Sequence, residues 1–219
     1  MAALALFADD DLVTKAAAYS ETYMSNYDAS HDWSHILRVV TLAHKIHAAT
    51  APTRPSLSLR KITLAALLHD VGDKKYLLPG QDATSLVRDF LAGAGADDAL
   101  AAEIQEVCLG VSYSSEIKDP AKVVALIEKH PELAVVQDAD RLDAIGAVGV
   151  GRCFTFGAIK DAGRGMQASV DHFGEKLVKL EGMMKTDAGR AMAKERTERI
   201  RLFEAWWADE NALLTGEKF

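Results

Sequence analysis

Imidazole and carboxylate groups recur in this chain on apolar helical faces, where neither belongs without a partner. His69 and Asp70 close the apolar run of LAALLHDVGDKKY, residues 64–76. His35 lies in HDWSHILRVV, with Val39 and Leu42 at i+4 and i+7 on its face. Asp138 and Asp140 sit in AVVQDADRLDAIGAVGVG. A buried, unpaired carboxylate is costly or is driven to its neutral form. Arginine or backbone partners relieve that cost, and so does a divalent cation shared by several of these groups. Imidazole with carboxylate suits a borderline first-row ion such as Mn, Fe, Co, Ni or Zn. Neighbours on a regular helix point about 100° apart. At a helix end relaxed by Gly72, His69 and Asp70 can still reach one ion. Asp138 and Asp140 project nearly opposite ways, so only one of them is expected to be a direct ligand.

The elements that must position these groups are helical. Apolar spacing of about 3.6 residues runs through nearly the whole sequence, and only five prolines interrupt it. Helices are predicted over Asp9–Met24, from an Asp32 cap through Ala49, and over Leu59–Val71, Asp82–Ala92 and Asp97–Val111. A short helix follows Pro120, and a long one runs from Pro131 through Asp140 to about Phe156. Val170–Met184 and Asp187–Leu214 finish the chain. In the second helix Ile36, Val39, Val40, Ala43, Ile46 and Ala49 share one face. APTRPSLS, LPGQD and the glycine-rich KDAGRGMQASV read as loops, the last as the best candidate for a mobile one. The expected class is all-α, a compact helical bundle forming one domain over 1–219. Its site core spans about 23–157, and C-terminal helices of about 170–214 pack on it.

The 219 residues are 49% hydrophobic and 26% charged, ordinary for a globular domain with a sizeable core. No segment approaches the ~20 apolar residues of a membrane helix, and the opening MAALALFADDDLV lacks a basic signal-peptide start. A cytoplasmic or nuclear location and no membrane partner are therefore expected. The net charge of −7 disfavours general nucleic-acid binding, yet leaves room for a local basic cluster on a small phosphorylated substrate. Cys108 and Cys153 form no CxxC pair and read as buried thiols. A homodimer stays open, because exposed apolar surface is not countable from sequence.

The ordered set resembles the HD-domain superfamily of metal-dependent phosphohydrolases. SHDWSHILRV matches the AHDxxHxxRV string, and LLHD matches LLHD itself. VQDADRLDAIGAVGVGR with the downstream DHFGEKLVKL is similar to a bacterial and fungal subgroup that includes nucleotide pyrophosphohydrolases. The resemblance spans about Tyr23 to Trp206. It implies an HD-type bundle holding one divalent transition metal, manganese favoured, on His35, His69, Asp70 and Asp140. Asp138 would then support a ligand, and His31 would orient one or meet substrate. Asp73, with Asp70, would be catalytic, helping to activate water. Lys74, Lys75 and Arg141 would hold phosphoryl oxygens; the plainer readings are surface lysines and an arginine ion pair. Ser112 and Ser114 stand where some relatives carry histidine, which disfavours a second metal. The implied activity is nucleoside triphosphate pyrophosphohydrolysis by a metal-activated water. The alternatives are a 5′-nucleotidase on monophosphates, a hydratase or lyase on a small nitrile-like molecule, and a non-catalytic metal sensor.

Overall fold

The computed structural model describes residues 2–25, 27–73, 77, 80–160, 163 and 165–215. Its helices in chain order are α1 (Ala2–Ala5), α2 (Asp11–Met24), α3 (Trp33–Thr50), α4 (Leu59–Leu68), α5 (Leu86–Gly93) and α6 (Asp98–Val111). They continue with α7 (Tyr113–Lys118), α8 (Pro120–Lys129), α9 (Glu132–Asp143), α10 (Gly146–Lys160) and α11 (Gly165–Glu175). A 3₁₀ helix (Leu177–Met183) then leads into α12 (Asp187–Thr215). The described residues contain no strand, so the fold is all-α.

Side-chain caps set many of the helix starts. Asp10 accepts from the amides of Leu12 and Val13, Asp32 from His35, Ser58 from Lys61, Asp97 from Leu100 and Asp119 from Lys122. Each cap satisfies a donor that the first helical turn leaves open. α3, α4 and α9 pack together at the centre. Ile36, Val39, Val40, Ala43 and Ile46 from α3 are fully buried there, as are Leu64–Leu68 of α4 and Leu133, Val136, Ala139 and Leu142 of α9. Ala49, expected on the same face of α3, is exposed.

The end of α4 is pinned from the side of α2. Ser20 donates to the Leu67 carbonyl (2.7 Å), and Tyr27 donates through its hydroxyl to the Asp70 carbonyl (3.2 Å). The Gly72 amide donates to the Tyr23 hydroxyl (3.3 Å). The first of these bonds occupies a carbonyl that the helix C-terminus leaves without an intrahelical partner. Gly72, at φ +86°, lets the chain turn there.

The long helix expected from Pro131 to Phe156 is two helices, α9 and α10, bent by 70° at Ala144–Ile145. The break has a local cause. Gly146 adopts φ +75°, and a Cβ on it would lie 3.1 Å from Arg196 Cγ. Arg196 itself donates to the Leu142 carbonyl in the last turn of α9. Helical periodicity continues through the bend, so the apolar pattern alone did not mark it. The expected Val170–Met184 helix is likewise divided between α11 and the 3₁₀ helix. The expected loop KDAGRGMQASV is helical from Gly165 onward, while Asp161, Ala162 and Arg164 lie outside the described residues. α5 begins at Leu86 rather than Asp82. The four-residue α1 and six-residue α7 are too short to carry a periodic signal.

Gly146→Ala should destabilise the protein by about 1–2 kcal/mol, because alanine is strained at positive φ and meets Arg196. Urea denaturation measures this; unchanged stability would show that the bend does not depend on the glycine.

Candidate metal centre

His35 enters the core on the first turn of α3, fixed by the Asp32 cap, and is fully buried. Its Nδ1 faces Asp143 Oδ2 at 2.8 Å. A carboxylate only accepts, so Nδ1 carries the hydrogen and Nε2 keeps its lone pair. His69 follows α4, where the Ala66 carbonyl has lost its helical partner and takes the His69 Nδ1–H (2.9 Å). In the neutral imidazole the second Nε2 is thus also left as an acceptor, the atom that takes a metal ion or, without one, a proton. The two Nε2 atoms stand 3.3 Å apart.

Two carboxylates close the group. Asp70 Oδ2 lies 3.3 Å from His35 Nε2, and Asp70 Oδ1 lies 3.4 Å from His69 Nε2. Asp140 Oδ1 lies 3.6 Å from His35 Nε2 and 3.7 Å from His69 Nε2. Donor atoms sharing one first-row ion at about 2.0–2.2 Å are separated by about 3.0–3.5 Å. Asp70 Oδ2 is buried without a hydrogen-bond donor. Four acceptors facing one point repel unless a cation, or protons, lies between them. His35, His69 and Asp140, with Asp70 beside them, could hold a divalent ion. The imidazoles are 1% exposed and the Asp70 and Asp140 side chains 16% and 28%, so the group opens on its carboxylate side.

The electrostatics agree. Burial disfavours charge on His69, but Asp70 and Asp140 outweigh it and hold its pKa up at about 9. Burial pushes the Asp70 and Asp140 carboxyls up, and the facing imidazoles more than reverse this, leaving both below the ordinary range. The carboxylates thus demand positive charge at that point.

Behind His35 stands Asp143, a residue the sequence analysis passed over. It is buried and also accepts from Arg38 Nε (2.7 Å), Arg38 Nη2 (3.0 Å) and Arg152 Nη1 (3.0 Å). Burial raises its pKa, but His35 and the arginines outweigh that and keep it ionised. The signal was present in ADRLDA: Asp143 is three residues beyond Asp140 and shares its helical face. Arg152 reaches it because α10 folds back after the bend, and its Nε also donates to the Ser30 carbonyl (2.7 Å). His31, next to Ser30, presents its Nδ1 to Ser30 Oγ (2.7 Å), and its ring stands edge-on to His35 with centroids 6.0 Å apart. Asp73 is half-buried in the turn after α4, its amide on the Asp70 carbonyl (3.2 Å).

Two expectations fail on geometry. Asp138 does not support a ligand. It is fully buried on the other side of α9, where it accepts from the Lys185 amide (2.8 Å) and from the Thr186 amide (2.8 Å) and hydroxyl (2.7 Å), clamping the start of α12. Arg141 does not face the centre. It is 2% exposed and pairs with Glu116, which also takes Lys185 Nζ (2.7 Å). One residue beyond Asp140, it points about 100° away. Lys74 and Lys75 lie outside the described residues. His44 meets Thr63, His47 the Leu57 carbonyl, His130 Glu103 and Glu106, and the half-exposed His172 Glu175; none of them joins the centre. Cys108 is buried, whereas Cys153 is only partly so, and both are free thiols.

Comparison with known proteins agrees with this arrangement. Residues 32–145 match the HD domain family. YpgQ of Bacillus subtilis is 33% identical over 180 residues, 80% of this chain and 82% of YpgQ. The crystal structure of YpgQ in complex with ADP superposes with a TM-score of 0.71 at 31% identity, covering 91% of this chain and 94% of that one. A crystal structure from Lactobacillus plantarum gives 0.74 at 26% identity, covering 93% and 98%. An HD-superfamily hydrolase from Bacillus thuringiensis gives 0.65 at 26% identity, covering 90% and 95%. The chain belongs to the HD domain family, whose members bind divalent metals.

Two outcomes are expected. Loading the metal-free protein with a divalent ion should release more protons near pH 7 than near pH 10.5, because His69 with its pKa of about 9 is protonated only at the lower value. Calorimetry in buffers of different ionisation enthalpy reads this, and equal release at both pH values would contradict it. Asp143→Asn should weaken metal affinity by about 10–100-fold with helix content retained, because the partner of His35 sets that ligand's orientation and basicity.

Proposed function

We propose that the protein is a metal-dependent phosphohydrolase acting on nucleotides, with pyrophosphate release from nucleoside triphosphates as its leading activity. The observation that carries this reading is the convergence of His35, His69, Asp70 and Asp140, with both imidazoles fixed as Nε2 acceptors. The YpgQ crystal structure with ADP supports a nucleotide-like ligand. His35, His69, Asp70 and Asp140 would hold a divalent ion, manganese favoured, which would supply charge to offset the phosphoryl oxygens and to acidify water. His35 and His69 keep that position rigid, and Asp143 prevents the His35 ring from turning. Asp73 orients the attacking water and accepts its proton on the carboxylate. Attack at the α phosphorus forms a new P–O bond and breaks the bond to the bridging oxygen, giving a monophosphate and pyrophosphate. His31, beside His35, contacts the substrate, and Lys74 and Lys75 supply charge for its phosphates.

The burial of Arg141 on Glu116 favours one second reading. An uncharged substrate does not need that cation, so hydration of a small nitrile-like molecule fits an open metal centre with fewer cations around it.

A panel of nucleoside mono-, di- and triphosphates, assayed after metal stripping and resupply with Mn, Co, Ni, Mg or Zn, separates these readings. Pyrophosphate is expected from triphosphates only with metal, and none from His69→Ala or Asp70→Ala. Asp73→Asn should lower kcat by about 10²-fold while metal binding persists. Orthophosphate from monophosphates would make the protein a nucleotidase. Silence on every phosphate, with turnover of a nitrile, would replace the leading reading by the second.

A further inference from the structure

Away from the metal centre, a cleft of about 780 Å³ opens between the 3₁₀ helix and α12. Its wall carries Lys179, Arg190, Lys194 and Arg201 against a single acid, Glu181. The whole chain has the opposite balance, 25 basic against 32 acidic residues. Among the described residues Lys179 and Lys194 make no ion pair, and both are exposed. Arg201 has only a loose contact with Glu198 (3.6 Å), on the exposed surface. Arg190 is held more firmly: Nη1 donates to the Met184 carbonyl (2.9 Å) and Nη2 to the fully exposed Asp187 (2.5 Å).

Arg190 and Lys194 are four residues apart on α12, a like-charge spacing that slightly weakens a helix. Cations gathered on a concave wall focus a positive potential into it. Lysine ammonium groups act as mobile point charges for phosphate, and a fixed guanidinium adds directional donors. None of these residues belongs to the metal centre.

We propose that this cleft is a second ligand site, one that binds a phosphate-bearing small molecule through Lys179, Arg190, Lys194 and Arg201. It requires no metal and does not depend on the reaction proposed above.

The test uses the full chain kept metal-free with chelator at low ionic strength, titrated calorimetrically with orthophosphate, pyrophosphate, ATP and, as a neutral control, adenosine. Saturable binding of the phosphate compounds but not of adenosine is expected. Lys179→Glu with Lys194→Glu should weaken it by about tenfold or more, and the milder Lys179→Gln with Lys194→Gln should weaken it less. A matched reversal at two distant exposed lysines, Lys45→Glu with Lys122→Glu, should leave it nearly unchanged. No saturable binding, equal binding in the cleft variant, or equal loss in the distant variant would overturn the proposal. So would capture of poly-glutamate in preference to every phosphate compound.

Discussion

Everything near the centre of this fold answers to one electrostatic constraint: four acceptors share a buried point. The two imidazoles have no freedom to relieve it by exchanging tautomers. Asp143 holds the hydrogen of His35 on Nδ1, and the Ala66 carbonyl does the same for His69. Rotation is no remedy either, because either ring would give up a buried hydrogen bond. Positive charge must therefore come from outside the chain or from protons. The end of α4 is where this becomes possible. A continuing helix would have used the Ala66 carbonyl and turned Asp70 away from His69; the stop frees both.

α9 divides the work between two faces. Asp140 and Asp143 look toward α3 and the site. Gln137, Asp138 and Arg141 look the other way, where they hold the Gly110 carbonyl, the start of α12 and Glu116 on α7. On that second face Glu116 takes both Arg141 and Lys185, and Asp138 accepts two backbone amides and a hydroxyl, so these groups fix the surrounding helices. Acidic groups a few residues apart thus serve different ends, and the difference lies in what each one faces. The bend after α9 matters for the same reason, since it returns α10 to the site so that Arg152 can neutralise Asp143 and steady the segment before His31.

Much of this was legible before any coordinates. Charged and imidazole groups inside apolar helical patterns pointed to His35, His69, Asp70 and the pair Asp138 and Asp140, between which the HD-family resemblance chose Asp140, and Asp32 announced a helix start by its type. What escaped was tertiary in origin. Asp138 and Arg141 sit in the same string as Asp140, and nothing local says which face meets α7 or α12. Asp143 stood in plain view, but its role needs two arginines from α3 and α10, 105 and 9 residues away in sequence. The break at Gly146 was hidden because its cause, a positive φ beneath Arg196, leaves the hydrophobic period undisturbed.

The most direct measurement is an anomalous-difference map from crystals grown with manganese, recorded at the metal's absorption edge. The account requires a peak about 2.0–2.3 Å from His35 Nε2, His69 Nε2 and one carboxylate oxygen each of Asp70 and Asp140. Absence of density there at saturating manganese, or a peak held by other residues, would contradict it.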